Sequence, residues 1–214
     1  MKTFFNFDGP FFAFLEKLST LIVLNILWLI CSLPIVTIGA STTALAYSTL
    51  RITNGFDDHV TKNFFKAFKK RFKESTIIWL ITLAAGIMLY FDLHYFYNSN
   101  IKAMFYLSLP IAFIYLLILL YIFPTQYIYN NSIKNAFRNA LFFSIMKLPS
   151  SLFMVAGAAI TVLISFYSDD FFMKFGILYW IFIGFSVISY ICSYFLNNIY
   201  KNDFTESEYE EKFI

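Results

Sequence analysis

Long runs of uncharged, mostly apolar residues alternate with short charged segments along this chain of 214 residues. Five runs contain no Asp, Glu, Lys, Arg or His, and they cover residues 18–50, 75–91, 103–133, 148–168 and 175–200. A helix of about 20 mostly apolar residues crosses the hydrocarbon core of a bilayer. The pattern therefore predicts five transmembrane helices, near residues 18–38, 75–91, 103–123, 148–167 and 175–196.

The composition indicates lipid as the surrounding solvent. Hydrophobic residues make up 59% of the chain and charged residues 14%, whereas a typical soluble domain has about 25% charged residues. So much apolar surface would aggregate in water. We expect an all-α membrane protein with a single transmembrane domain, residues 1–200, and an acidic cytoplasmic tail, residues 201–214.

The basic residues are divided unequally between the two sides that five spans would define. Twelve of the 16 Lys and Arg residues fall on the side of the loops after the first and third spans and of the carboxyl-terminal tail. The positive-inside rule assigns that side to the cytoplasm. The prediction is a multi-pass protein of the cell membrane with its amino terminus outside and its carboxyl terminus in the cytoplasm.

A break follows the first run, because Pro34 lacks an amide hydrogen and Gly39 permits a bend. Residues 40–52 are too short to cross alone, so they are re-entrant or interfacial, or they form a sixth span that would change the charge tally. The simpler interpretation of this hydroxyl-rich segment is a helix stop followed by a capped helix. The alternative is a turn that binds a polar or anionic group near a helix amino terminus, through Asn25, Thr37, Gly39, Ser41, Thr42 and Thr43.

Residues 60–73 are predicted to form an amphipathic helix. Phe64, Phe68 and Phe72 recur every four residues, and the remaining faces carry Lys62, Lys66, Lys69, Lys70, Arg71 and Lys73. Such a helix either lies in the membrane surface with its rings in lipid or packs on the cytoplasmic face of the protein itself. We expect contact with lipid or a partner here and no nucleic-acid binding, since no recognition motif accompanies the cations.

Residues 133–147 carry a similar pattern, an apolar stripe four residues apart with cations on another face. An offset of 72 residues places 62–66 over 134–138, 75–91 over 147–163 and 103–123 over 175–195. The chain therefore has a possible two-fold repeat of one surface helix and two spans, and the two copies would be parallel.

Residues that carry catalysis form no recognisable pattern. The predicted spans contain no ionisable Asp, Glu, Lys, Arg or His, which argues against a proton relay or a pump. The sequence has no nucleotide loop, nucleophile elbow or zinc motif, and Cys31 and Cys192 lie in separate spans. We predict no catalytic, cofactor-binding or metal-binding residue and no enzyme activity.

One string carries a family resemblance. It runs from Asn25 to Ala44, and its most specific part is Leu33-Pro34-Ile35-Val36-Thr37-Ile38-Gly39-Ala40. With Asp8-Gly9-Pro10-Phe11-Phe12 and the Phe/Lys-rich helix before the second span, it resembles the YesL-like family of bacterial membrane proteins, a family of unknown function. The resemblance covers residues 1–200. It implies a multi-span protein often encoded beside genes for carbohydrate uptake and glycan degradation, and it supplies no catalytic residue.

These observations lead to two hypotheses of function. The first is a non-catalytic accessory component of carbohydrate uptake, with membrane lipids and subunits of a carbohydrate transporter as partners. The second is a small-solute transporter or channel in its own right.

Overall fold

All the elements that the structure describes are helices, which confirms the predicted all-helical architecture. The computed structural model describes residues 10–56, 59–99, 102–129, 132–165, 176–201 and 206–211. The helices are α1 (Pro10–Ser32), α2 (Ile38–Thr53), α3 (Val60–Lys70), α4 (Phe72–Asn98), α5 (Lys102–Ile128), α6 (Ile133–Met146), α7 (Leu148–Ser165), α8 (Gly176–Tyr200) and α9 (Glu206–Glu211).

Four helices within the described ranges are long and apolar enough to cross a bilayer, namely α1, α4, α5 and α8. The pair α6 and α7, bent by 97°, is a fifth candidate if it is counted as one broken span. The first predicted span, 18–38, differs most from the structure. Helix α1 ends at Ser32, and a short 3₁₀ turn over Ile35–Thr37 leads directly into α2.

Some predicted features lie outside the described residues. They are the end of the predicted span 148–167, the start of the predicted span 175–196, parts of the tail 201–214, Asp8, Gly9, Lys2, Lys174 and Lys212.

Helix α2 lies at the centre of the bundle, in contact with α1, α3, α4, α5 and α8. Its residues 39–52 are buried except for Thr42, which is half-buried. The segment is rich in Gly, Ala, Ser and Thr, whose small side chains let neighbouring helices approach closely in a membrane. The hydroxyls of Thr43, Ser48 and Thr49 donate to carbonyl oxygens four residues earlier, so these polar groups are satisfied inside the helix.

Helices α1 and α2 form an antiparallel hairpin. The hydroxyl of Ser32, the last residue of α1, is hydrogen-bonded to that of Ser41 in the first turn of α2. Trp28 lies one turn earlier in α1, and its indole donates to the Thr42 hydroxyl at 3.2 Å. Helix α1 also contacts α3, which follows the far end of α2. The hairpin therefore starts and finishes at the same end of the bundle.

Two further antiparallel pairs complete the bundle. In the first pair, the rings of Tyr97 on α4 and Phe105 on α5 are in contact near the connection of the two helices. Further along, the hydroxyl of Tyr115 on α5 donates to the carbonyl oxygen of Thr82 on α4. In the second, α7 and α8 meet through Phe153 and Phe195, whose stacked rings have centroids 6.1 Å apart.

We call the end of the bundle that carries α3 and α6 the base. Tyr47, near the end of α2, lies against Tyr127, near the end of α5, with ring centroids 3.9 Å apart. The helices that follow, α3 and α6, therefore leave the bundle at the same end. At the base, α3 breaks before α4 at Arg71 and α6 breaks before α7 at Lys147, with φ angles of −115° and −113°.

Candidate functional site

The turn between α1 and α2 satisfies its backbone carbonyls with nearby side chains. The hydroxyl of Thr37 donates toward the carbonyl oxygens of Cys31 at 2.6 Å and Pro34 at 2.7 Å. The indole of Trp79, on α4, donates to the carbonyl oxygen of Ile35 at 2.8 Å. Irregular backbone left unsatisfied in hydrocarbon costs several kcal/mol per group. These bonds therefore suit a turn that lies inside a bilayer.

The other candidate residues at the turn also make their contacts within the protein. A Cβ atom on Gly39 would overlap the carbonyl oxygen of Ser75, so only glycine allows α2 and α4 this close approach. The hydroxyl of Thr43 donates to that of Ser75 at 2.9 Å. Ser41 and Thr42 donate to backbone carbonyls one turn earlier. This placement favours a helix stop over the ligand-binding turn, although Thr37, at the N-cap of α2, makes no side-chain capping hydrogen bond.

Asn25 joins α1 to a distorted stretch of α8. Residues Trp180–Gly184 form a π-helical turn, which interrupts the regular backbone ladder. The fully buried amide of Asn25 donates to the carbonyl oxygens of Trp180 at 3.0 Å and Ile181 at 2.7 Å, and it accepts from the backbone N–H of Ser186 at 3.0 Å. The side chain therefore completes the hydrogen bonds of the π turn and clamps the two helices together.

A cavity of about 170 Å³ lies between α1, α2, α5 and α8. Its walls are mostly apolar and include Trp28, Leu45, Phe123, Phe185, Ile188 and Leu196. The hydroxyls of Ser189 and Ser193 reach the lining, but both are hydrogen-bonded to Thr49 of α2, at 2.9 and 2.8 Å. Such a lining suits an apolar group better than a sugar, which needs several free polar partners.

The predicted surface helix buries part of its ring stripe in protein. Phe64 is fully buried in the core, Phe68 is half-buried against it, and Phe72 is exposed at the start of α4. The lysines are exposed to the surroundings, namely Lys62, Lys66, Lys69, Lys70 and Lys73. The burial of Phe64 favours the second interpretation of this helix, packing on the face of the protein itself.

Arg71 is buried, unlike the exposed lysines with which the sequence pattern grouped it. It lies at the break before α4, and it is within electrostatic range of Tyr127, as is Arg51, which is buried near the end of α2. In the sequence, Arg51 and Arg71 each border an uncharged apolar run, and this position was the available signal that the two side chains form a cluster. Among the residues that the structure describes, no three His, Cys, Asp or Glu side chains come together as a metal site.

Comparison with known proteins finds a family model and a distant relative that match parts of the chain. Residues 21–93 match the family model described as "Protein of unknown function, DUF624". The chain is 27% identical over 139 residues to "Uncharacterized protein YesL" of Bacillus subtilis (strain 168), a match that covers 63% of this chain and 66% of the relative, just under two thirds of its length. No solved structure matches the chain. The matched residues include the string from Asn25 to Ala44, so the resemblance drawn from that string is confirmed: residues 21–93 match the DUF624 family, and the chain is a distant homologue of YesL.

Proposed function

We propose that this protein is a non-catalytic component of the cell membrane that binds a partner at its base and assists carbohydrate uptake. The link to carbohydrate comes from the family resemblance, which associates such proteins with uptake genes. The observation that supports the rest is the charge of the base, since every basic residue of α3 and α6 and both helix breaks lie there.

The proposed orientation puts both chain ends in the cytoplasm, in place of the opposite sides expected from five spans. The α1–α2 hairpin begins and ends at the base, and the α4–α5 and α7–α8 pairs each return the chain to it. Moving Lys2 and Lys17 to the richer side changes the division of basic residues from twelve against four to fourteen against two. This stronger asymmetry fits the positive-inside rule better than the first arrangement does.

Four helices cross the bilayer in this proposal, namely α4, α5 and α8, which are candidate spans by themselves, and α7, which is half of the bent pair. Helix α1 is also long enough to cross, but in this proposal it forms with α2 a hairpin that enters from the base as a re-entrant element. The 16 residues of α2 rise about 24 Å, less than the roughly 30 Å hydrocarbon core. The turn exposes Leu33 and Ile35 to 80% and 64%. Lipid is the favourable surrounding for these side chains, so the turn lies within the membrane.

The proposed parallel repeat pairs α3, α4 and α5 with α6, α7 and α8. The two helix breaks lie 76 residues apart, at 71 and 147, which is one helical turn more than the offset of 72. Four residues after each break stands a fully buried serine, Ser75 or Ser151. The first is hydrogen-bonded to Thr43 of α2 and the second to Tyr121 of α5, each at 2.9 Å. Matching breaks and matching serine contacts support the repeat at the longer offset.

The exposed part of the base suits a partner that lies at the membrane surface. Helix α3 exposes Lys62, Lys66 and Lys69, and α6 exposes the apolar side chains Phe142 and Ile145. The base therefore offers cations for long-range attraction and apolar side chains for desolvated contact. A membrane-embedded transporter subunit with an acidic cytoplasmic edge would complement this surface.

Affinity purification from native membranes in mild detergent tests the partner. Wild type should recover subunits of a carbohydrate transporter, and the variant with Lys62→Glu, Lys66→Glu and Lys69→Glu should lose them. Lys102→Glu, at the opposite end of the bundle, is the control and should retain them. Repeated recovery of no transporter subunit by wild type, or unchanged recovery by the triple variant, would contradict the proposal.

The alternative function is solute transport by this chain alone. The apolar cavity between α2, α5 and α8 is too poor in free polar groups for a sugar path. Purified protein in liposomes should therefore give no sugar flux above that of empty liposomes. Flux that depends on the protein would support the transporter and count against the accessory role.

A further inference from the structure

Arg71 is a buried cation whose side chain includes a nitrogen atom without a hydrogen-bond partner. Its side chain is 6% exposed, and its Nε atom is buried without an acceptor. Glu74 follows three residues later in the first turn of α4, yet no ion pair joins the two described side chains. Buried charges in proteins are almost always paired, because removing an ion from water costs several kcal/mol.

Two further cationic side chains lie near Arg71, around the ring of Tyr127. Arg51, on α2, is also 6% exposed, and the Tyr127 hydroxyl lies within electrostatic range of both guanidinium groups. The Lys70 ammonium lies over the ring of Tyr127, 5.2 Å from its centroid. Tyr127 in turn lies against Tyr47. The side chains of Arg51, Lys70 and Arg71 therefore surround the paired rings of Tyr47 and Tyr127, where α2 and α5 end and α4 begins.

We propose that this cluster, defined by Arg51, Lys70, Arg71, Tyr47 and Tyr127, is a binding site for a phosphate group. The planar guanidinium fork of arginine matches the oxygens of a phosphate with two parallel hydrogen bonds. A phosphate group also presents more acceptor oxygens than the two of a carboxylate, so it can accept from several surrounding donors at once.

The cluster lies level with the ends of the membrane-spanning helices, where the headgroups of a bilayer begin. The phosphate group therefore has two possible sources, the headgroup of an anionic phospholipid or a soluble phosphate. The exposed lysines of α3 attract either one without selectivity, at about 1 kcal/mol each for a lipid surface. Arg71 distinguishes the proposed site from that general attraction, because its guanidinium is buried and fixed at the helix break.

The experiment uses the full chain in phosphatidylcholine nanodiscs, prepared without phosphate. In the first arm, inorganic phosphate is titrated and the melting temperature is measured against chloride of equal ionic strength. In the second arm, the discs contain phosphatidylglycerol, and native mass spectrometry counts the lipids retained. Arg71→Gln is the test variant, and Arg138→Gln, exposed on α6, is the matched control.

A rise in melting temperature with phosphate in wild type and the control, lost in Arg71→Gln, identifies soluble phosphate. Retention of phosphatidylglycerol by wild type and the control but not by Arg71→Gln identifies the headgroup. In either case the variant should bind roughly ten- to a hundredfold more weakly, from the strength of hydrogen bonds to charged groups. The absence of both effects in wild type, or equal binding by Arg71→Gln, would overturn the site.

A second variant keeps the test valid if Arg71→Gln fails to fold. Arg71→Met replaces the charge with an apolar chain of similar length, which is often neutral or stabilising where a buried charge lacks compensation. In phosphatidylcholine discs without anionic lipid, in a buffer without inorganic phosphate, this variant should melt at or above the temperature of wild type. Added phosphate or phosphatidylglycerol should make wild type the more stable of the two. A lower melting temperature for Arg71→Met in the anion-free discs would show that the charge is already compensated and would refute the proposal.

Discussion

Replacing Asn25 with leucine tests the clamp between α1 and α8. The substitution nearly conserves volume but removes all three hydrogen bonds to the π turn, to Trp180, Ile181 and Ser186. Hydrogen bonds between membrane helices average about 0.6 kcal/mol, which gives about 2 kcal/mol for three. Two carbonyl oxygens left unsatisfied in a dry site raise the cost, since such groups cost about 1–3 kcal/mol each. We therefore expect a loss between about 2 kcal/mol, the figure for the three bonds, and about 6 kcal/mol, the most that two unsatisfied carbonyls cost.

The assay is equilibrium unfolding in mixed micelles of mild detergent and SDS, followed by circular dichroism. Asn98→Leu is the control, because Asn98 is exposed and its amide is hydrogen-bonded only to His94 on its own helix among the described residues. The control should stay within about 0.5 kcal/mol of wild type. If Asn25→Leu also unfolds within that margin, the clamp makes no contribution and the reasoning fails.

Two further substitutions test the packing of α2 and α3. Gly39→Ala forces a Cβ atom into backbone atoms of α4 and should lower the unfolding free energy by about 1–3 kcal/mol. In the control Gly157→Ala the new Cβ atom makes an ordinary contact at 3.7 Å, so this variant should unfold no more easily than wild type. Equal unfolding free energies of the two variants would contradict the close approach of α2 and α4. Phe64→Ser should lose about 3–5 kcal/mol, as buried phenylalanine truncations do, whereas Phe65→Ser, at a 39% exposed ring, should lose under about 1 kcal/mol. Melting curves in detergent measure the stability of both pairs of variants. A larger loss of stability in Phe65→Ser than in Phe64→Ser would contradict the assignment of Phe64 to the buried side of α3.

The positions of the long helices could be predicted because hydrocarbon excludes charge. Every described helix that is a candidate span coincides with an uncharged run, and the charged residues mark the ends. The break at Pro34 was also evident, since proline cannot continue a helix without losing a hydrogen bond. What these local rules do not indicate is how the pieces pack against one another.

The role of α2 shows this limit. Residues 40–52 are uncharged up to Arg51 and rich in small and hydroxyl side chains, a pattern that suits an interfacial helix, a re-entrant helix or a buried one. The structure buries them on nearly all faces. The small residues were the only local signal, and their meaning depends on α4 and α8, which are distant in sequence.

The ring stripe of α3 has the same ambiguity. Phe64 and Phe68 are four residues apart, a spacing that suits a helix packed against lipid and a helix packed against protein equally well. The burial of Phe64 in the structure distinguishes the two interpretations. Arg71 looked like one more cation of a basic helix, because sequence shows charge but not exposure. Its separation from the exposed lysines comes from the helix break, which turns α4 into the bundle.

The location of the amino terminus tests the central claim most directly, namely that α1 and α2 form a hairpin that returns to the base. Single cysteines placed at position 2 and position 212, in a chain with Cys31→Ala and Cys192→Ala, are treated in intact cells with a membrane-impermeant maleimide. Our account predicts that neither position is labelled until the membrane is permeabilised, because both lie in the cytoplasm. Labelling of position 2 from outside intact cells, with position 212 protected, would contradict it.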